Sequence, residues 1–272
     1  MKNKEYGIAL TSCICVIVFL SSQGREPILH SLFFILNLKI MAITKDNALH
    51  SILNHFNEMV GLVMRQLEIV DQLLVNGTID IPAEIQQQIE DNENRIDGFE
   101  TSLGNEIIDI IALQNPVASD IRRIISAYQM ISNLERIADQ VKNIDKFLPR
   151  IEDKQIFQQM APVISNMMTS SIMMVKKSVS AFMNDDNEAA IWTIKNDDVV
   201  DEINHKLIKD TIQKSQYSDD TRHLLFTFIN LNGIISNIER IADHATNIAE
   251  ASVYTNAGEN IRHPKAMKTK DE

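Results

Sequence analysis

From Asp46 onward, apolar residues recur at intervals of three and four with little interruption. In the first stretch, about Asp46 to Asn76, Leu49, Ile52, Leu53, Phe56, Val60, Val63, Leu67, Val70 and Leu74 keep that spacing. It places them on one face of an amphipathic helix. Gly77 is the stop signal. A second helix is predicted from near Pro82, a residue suited to a first turn. It carries Ile85, Ile89, Ile96, Leu103, Ile107 and Ile110 to about Gln114, where Asn115-Pro116 breaks it. The third runs from about Val117 to Phe147. The fourth, about Lys154 to Met183, has Met160, Val163, Ile164, Met167, Met168, Val175 and Phe182 as its stripe. Asn184-Asp185-Asp186 ends it and caps a fifth, about Asn187 to Ser215. Ser218-Asp219-Asp220 opens the sixth, which ends near Tyr254.

Helices of roughly thirty residues are about 45 Å long. Joined by short turns, they must run antiparallel to their neighbours. The methionines of the fourth helix (Met167, Met168, Met173, Met174) read as core filler rather than as an adaptable binding face.

The pattern also repeats. Ile131-Ser132-Asn133-Leu134-Glu135-Arg136-Ile137-Ala138-Asp139 returns 104 residues later as Ile235-Ser236-Asn237-Ile238-Glu239-Arg240-Ile241-Ala242-Asp243. Asn143-Ile144 returns as Asn247-Ile248, and Glu93 and Asp97 return as Asp197 and Asp201. A fixed period means one structural unit used twice. The expected fold is all-α: two tandem three-helix bundles, residues 41–150 and 151–255, followed by a polar tail, 256–272.

Composition narrows the chemistry. Net charge is −11, and residues 41–272 carry 22 basic and 35 acidic side chains. An acidic body disfavours nucleic acid and anionic membrane as partners and is compatible with cations. Cys13 and Cys15 are the two cysteines, both near the N-terminus. The body therefore has no disulfide framework and no Cys-ligated zinc. No phosphate-cradling Gly-rich loop or nucleophile triad is recognisable.

Residues 1–40 have a different texture. Lys2 and Lys4 precede an apolar run from Ile8 to Leu20, and a second run spans Ile28 to Ile40. The first run is too short for a confident membrane span. The preferred reading is an upstream-translated leader, with Met41 the start. A signal peptide or weak anchor, and a helix packed on the body, are the alternatives.

The repeated acids are the candidate chemistry. Glu135 and Asp139 lie at i and i+4, beside the apolar face of Ile131, Leu134, Ala138 and Val141; Glu93 and Asp97 border the face of Ile89, Ile96, Leu103 and Ile107. Like charges at that spacing repel, so two such pairs at an interface call for a positive neighbour. Arg136 and Arg240 are expected to point about 100° away from the neighbouring Glu. A hard metal ion is the other candidate, because carboxylate oxygens suit it and several carboxylates can bridge more than one. The bland alternative is a solvated acidic groove. A ferritin-like di-iron site would need two Glu-x-x-His motifs. Glu202-x-x-His205 has Gly98 and Thr101 as its counterparts, so that reading fails. His244 could reach a metal but reads as an ordinary half-exposed histidine.

At Leu134-Glu135-Arg136-Ile137-Ala138-Asp139, at Ile238 through Glu250, and at Asn115-Pro116-Val117-Ala118-Ser119-Asp120-Ile121-Arg122, the chain resembles the PhoU family of phosphate-signalling regulators. The resemblance covers about residues 41–255. It implies two tandem PhoU domains and a cytoplasmic negative regulator of phosphate uptake that is not an enzyme. It implies a homodimer linking a phosphate ABC transporter, through its ATPase subunit, to a sensor histidine kinase, with no stable membrane insertion. It also implies metal ions (Fe, Mn, Mg or similar) on Glu93, Asp97, Glu135 and Asp139 in the first bundle, and on Asp197, Asp201, Glu239 and Asp243 in the second. The second repeat departs from the pattern: Asp220 to Phe226 replaces the Pro-x-x-x-Asp-x-Arg segment. A carboxylate-bridged metal enzyme and a metal-free helical scaffold remain the rival readings.

Overall fold

The computed structural model describes residues 26–114, 116–197, 200 and 221–258, with side chains described from His50 onward. The described residues form six α-helices and no strand: α1 (Glu26–Val75), α2 (Ala83–Gln114), α3 (Ala118–Phe147), α4 (Lys154–Met183), α5 (187–197) and α6 (Thr221–Ala257). A single 3₁₀ turn, Leu148–Arg150, follows α3.

The turns between helices follow from local chemistry. Gly77 takes a positive φ of 59°, and the Thr78 N–H then reaches back to the Leu73 carbonyl at 3.0 Å. That closes the end of α1 as an αL cap that a Cβ would disfavour. Asp153 caps α4 by accepting from the backbone N–H groups of Gln155 and Ile156. Asp186 does the same for α5 through Glu188 and Ala189. The stop expected at Gly77 and the cap expected within Asn184-Asp185-Asp186 are the ones used, and the Asp153 cap is an addition from the structure.

One boundary differs. The spacing predicts that α1 begins near Asp46, yet it is already helical at Glu26, the first described residue, and passes Met41 without a break. The change of texture at Met41 alters which side chains are apolar. It introduces no Gly or Pro between Ile28 and Val60, so nothing interrupts backbone hydrogen bonding there. Part of the predicted fifth helix, residues 198–199 and 201–215, and the Ser218-Asp219-Asp220 signal lie outside the described residues.

α1, α2 and α3 pack on one another, and α4 packs on α6. Ala181, Ala190 and Ala249 bring α4, α5 and α6 together in a small buried cluster. The equivalent helices of the two repeats also meet, α1 against α4 and α3 against α6. Among the described residues the α3–α6 contact is the most extensive. These two helices run antiparallel: His244 lies beside Asn133, Gly233 beside Phe147, and Gly258 beside Arg122. At Gly233 a Cβ would stand 2.8 Å from the Phe147 ring, so any larger residue would have to displace that ring. Along the seam Leu134, Ile137, Ala138, Ile241, Ala242 and Ala245 are buried, the alanines permitting close approach. Met167, Met168 and Met174 are core, as expected, whereas Met173 is exposed.

The two repeats therefore share one continuous hydrophobic core. Leu134→Ala should lower stability by about 2–5 kcal/mol and shift a single cooperative transition in calorimetry and in urea. Two separately shifting transitions would show instead that each half melts on its own.

Candidate functional site

α2 and α3 are antiparallel, so residues that bear acids near the middle of each helix arrive at one level. Glu93 is almost wholly buried. The sequence placed it only at the border of the apolar face. Its Oε2 accepts from Gln66 Nε2 of α1 at 3.2 Å. Burial raises its pKa, the Gln66 hydrogen bond and Lys142 oppose the rise, and Asp139 and Asp97 add to it. Glu135 is half-buried, with its pKa pushed up to about 7 by burial first, then by Asp139 and Glu100, against the pull of Arg136. Asp139 is half-buried and Asp97 exposed. The four acids singled out in the first repeat thus form one electrostatic group.

Arg136 does not point away from it. Its Nε lies 3.5 Å from Glu135 Oε2, and its Nη1 3.7 Å from Asp139 Oδ2. The expectation from the helix wheel fails because an Arg side chain is long and flexible enough to fold back across the helix surface. Three members of this neighbourhood were missed: Gln66, Lys142 and Glu100. Glu100 stands at i+7 from Glu93 on the same face, and that spacing could have revealed it. Gln66 comes from another helix, and no spacing within α2 points to it.

In the second repeat Asp197 is half-buried on α5, Glu239 half-buried and Asp243 exposed on α6; Asp201 lies outside the described residues. His244 is half-buried at the α3–α6 seam, its Nδ1 3.0 Å from Asn133 Oδ1. Burial lowers its pKa, with Arg136 and Arg240 adding to the effect and Asp139 opposing it. Among the described residues no three His, Cys, Asp or Glu side chains converge as ligands to one metal ion. Nor is any described helix long and apolar enough to cross a membrane.

The family described as PhoU domain matches this chain twice, over residues 56–147 and 164–252. Those stretches are the two helical units just described. The chain belongs to the PhoU family. Its relatives include the phosphate-specific transport system accessory protein PhoU homolog of Pseudomonas aeruginosa, 26% identical over 241 residues, which covers 85% of this chain and 97% of that protein. The protein of the same description from Zymomonas mobilis is 30% identical over 216 residues, 79% of this chain and 86% of that one. The crystal structure of PhoU from Pseudomonas aeruginosa superposes with a TM-score of 0.68 at 26% identity, covering 79% of this chain and 99% of that one. The Streptococcus pneumoniae PhoU structure, at 24% identity and a TM-score of 0.63, shares the fold.

The acid group of this PhoU protein makes its stability depend on pH. In the folded chain the Glu135 carboxyl holds its proton up to about pH 7, against an ordinary 4.5. The folded state therefore binds the proton more tightly than the unfolded state does. This contribution is complete below pH 4.5 and is lost as pH rises through 7. In chelator-treated protein, Glu135→Gln should flatten the fall in melting temperature between pH 5 and pH 7.5. An unchanged slope would remove Glu135 as its source.

Proposed function

We propose that this protein restrains phosphate uptake and phosphate-starvation signalling when phosphate is plentiful. It acts in the cytoplasm as a homodimeric adaptor between the ATPase subunit of a phosphate ABC transporter and a sensor histidine kinase, and catalyses no reaction itself. The observation that carries this reading is the pair of PhoU domains, on a chain whose relatives are named as accessory proteins of phosphate-specific transport over nearly their whole length. In a host lacking the gene and grown in phosphate-rich medium, alkaline-phosphatase reporter output and phosphate uptake should both rise. Residues 41–272 supplied alone should restore repression. Output unchanged by the deletion would count against the adaptor.

The acid pairs hold metal in this reading. The donor set is carboxylate throughout, which fits a hard cation such as Fe, Mn or Mg. In the first bundle Glu93, Asp97, Glu135 and Asp139 would hold it; in the second Asp197, Asp201, Glu239 and Asp243. The mutual repulsion within the first set and the raised pKa values of Glu93 and Glu135 are the features a cation would relieve. Arg136 now supplies part of that positive charge, so a cation would have to displace its guanidinium. Metal bound between α2 and α3 would stiffen the bundle through linkage. Glu135→Ala combined with Asp139→Ala should remove metal from the first bundle, and elemental analysis of the purified protein reads the loss. Metal content equal to wild type would show that these residues are not ligands.

A further inference from the structure

Two stripes face one another along the α2–α3 hairpin, and each changes character in the same direction. On α2 the stripe is Glu93, Asp97, Glu100, Gly104, Ile108 and Ile111. On α3, read back from its C-terminal half, it is Asp139, Glu135, Ser132, Tyr128, Ile125 and Ile121. Both follow the alternating three- and four-residue spacing that holds one helix face. Gly104 and Tyr128 meet across the hairpin: a Cβ on Gly104 would lie 3.7 Å from Tyr128 Cε2. The antiparallel register then brings acids together at one end and apolar residues together at the hairpin tip. Between them lies a cleft of about 310 Å³, lined by Glu100, Gly104, Ile108, Tyr128, Ile131 and Ser132 among others.

The apolar end is uncovered. Ile108 is 60% exposed, Tyr128 49%, and Ile111, Ile121 and Ile125 between 37% and 40%. Leu113 and Val117 extend the same surface around the tip at 70% and 60%. Contacts with the other described residues leave them this exposed. A contiguous apolar strip on a folded surface marks a contact site. At the other end Glu100 makes no ion pair among the described residues. The nearby Arg136 shows what that end accepts, a guanidinium between carboxylates.

We propose that this groove is the docking site for one helix of a partner protein: an amphipathic helix with apolar anchors over one half and Lys or Arg over the other. The exposed part of the groove spans residues 97 to 111 of α2, about 21 Å at helical rise, which the middle of an eighteen-residue helix would cover. Apolar anchors spaced at i, i+4 and i+7 fit between Ile108, Ile125 and Tyr128, as in other helix-in-groove complexes. Gly104 leaves the space in the middle where the two backbones come closest. The basic half meets Glu100 and the acids beyond it, which sets the direction in which the helix lies. An acidic or uniformly apolar helix lacks that match. This inference rests on the adaptor reading for its biological use, and supplies that reading with the chemistry of a partner.

The test uses the full chain and fluorescein-labelled helical peptides of about eighteen residues, with Leu anchors on one half and Lys and Arg on the other, made in both orders. Anisotropy should show one order binding at least tenfold more tightly than its counterparts carrying Glu for the basic residues or Gln for the anchors. Salt should weaken it. Gly104→Leu fills the cleft and favours the helix, and should cost at least tenfold in affinity without lowering the melting temperature. Ile108→Asn should do the same, Glu100→Gln should cost several-fold and reduce the salt dependence, and Val163→Asn on α4 should change nothing. Equal binding of the charge-reversed peptide, or full binding by Gly104→Leu, overturns the proposal. So does a wild-type dimer that becomes monomeric in Ile108→Asn, because the groove is then covered by a second copy. Binding of the apolar tip to lipid vesicles, lost in Ile108→Asn, also overturns it. The reporter strain tests the adaptor separately, so peptides that fail to bind while repression by the intact gene holds would remove the groove and leave the adaptor standing.

Discussion

Everything in this fold depends on the seam where α3 meets α6. The two helices are the same element of a repeated unit, and each has an apolar face that its own three-helix unit does not fully cover. Antiparallel pairing lets each satisfy the other, and the alanines at the seam bring the backbones close. The shared core follows directly from this contact. So does the placement of chemistry, because the face of α3 turned toward α6 leaves Glu135 and Asp139 free to turn toward α2. His244 and Asn133, one from each repeat, meet at the seam, with His244 Nδ1 3.0 Å from Asn133 Oδ1.

The same antiparallel logic governs the α2–α3 hairpin. A helix hairpin brings equal distances from the turn to the same level, so acids placed mid-helix on both strands of sequence must converge. Burial, with the neighbouring carboxylates adding to it, raises the proton affinity of Glu93 and Glu135, and Arg136 moderates but does not abolish the effect at Glu135. The acid group is therefore electrostatically unfinished in the isolated chain. A cation and the basic half of a partner helix both answer the same imbalance. On the two proposals above, both would draw on the same carboxylates.

Much of the candidate site could be read from periodicity. Glu93, Asp97, Glu135 and Asp139 were identifiable because they recur at fixed spacing on faces bordering the core. What periodicity missed came from two sources. Gln66 reaches Glu93 from α1, and no pattern within α2 encodes a contact with another helix. Arg136 departs from the direction its Cα implies, because a long side chain chooses its rotamer by the charges around it rather than by the helix wheel. The exposed tip residues Ile108, Ile121 and Ile125 were passed over for a related reason: in sequence an apolar residue at helical spacing looks like core, and only its solvent exposure distinguishes it.

The sequence by itself determined the helical class, the turns at Gly77 and Asp186, the internal duplication and the family. These depend on local hydrogen bonding and on hydrophobic spacing, which are written residue by residue. The tertiary structure alone decided that the two units share one core, that Glu93 is buried beneath Gln66, and that acidic and apolar stripes of two helices line up as one groove. Those outcomes depend on which helices meet and in what register. Register is set by the fit of whole surfaces, to which every residue of both helices contributes at once.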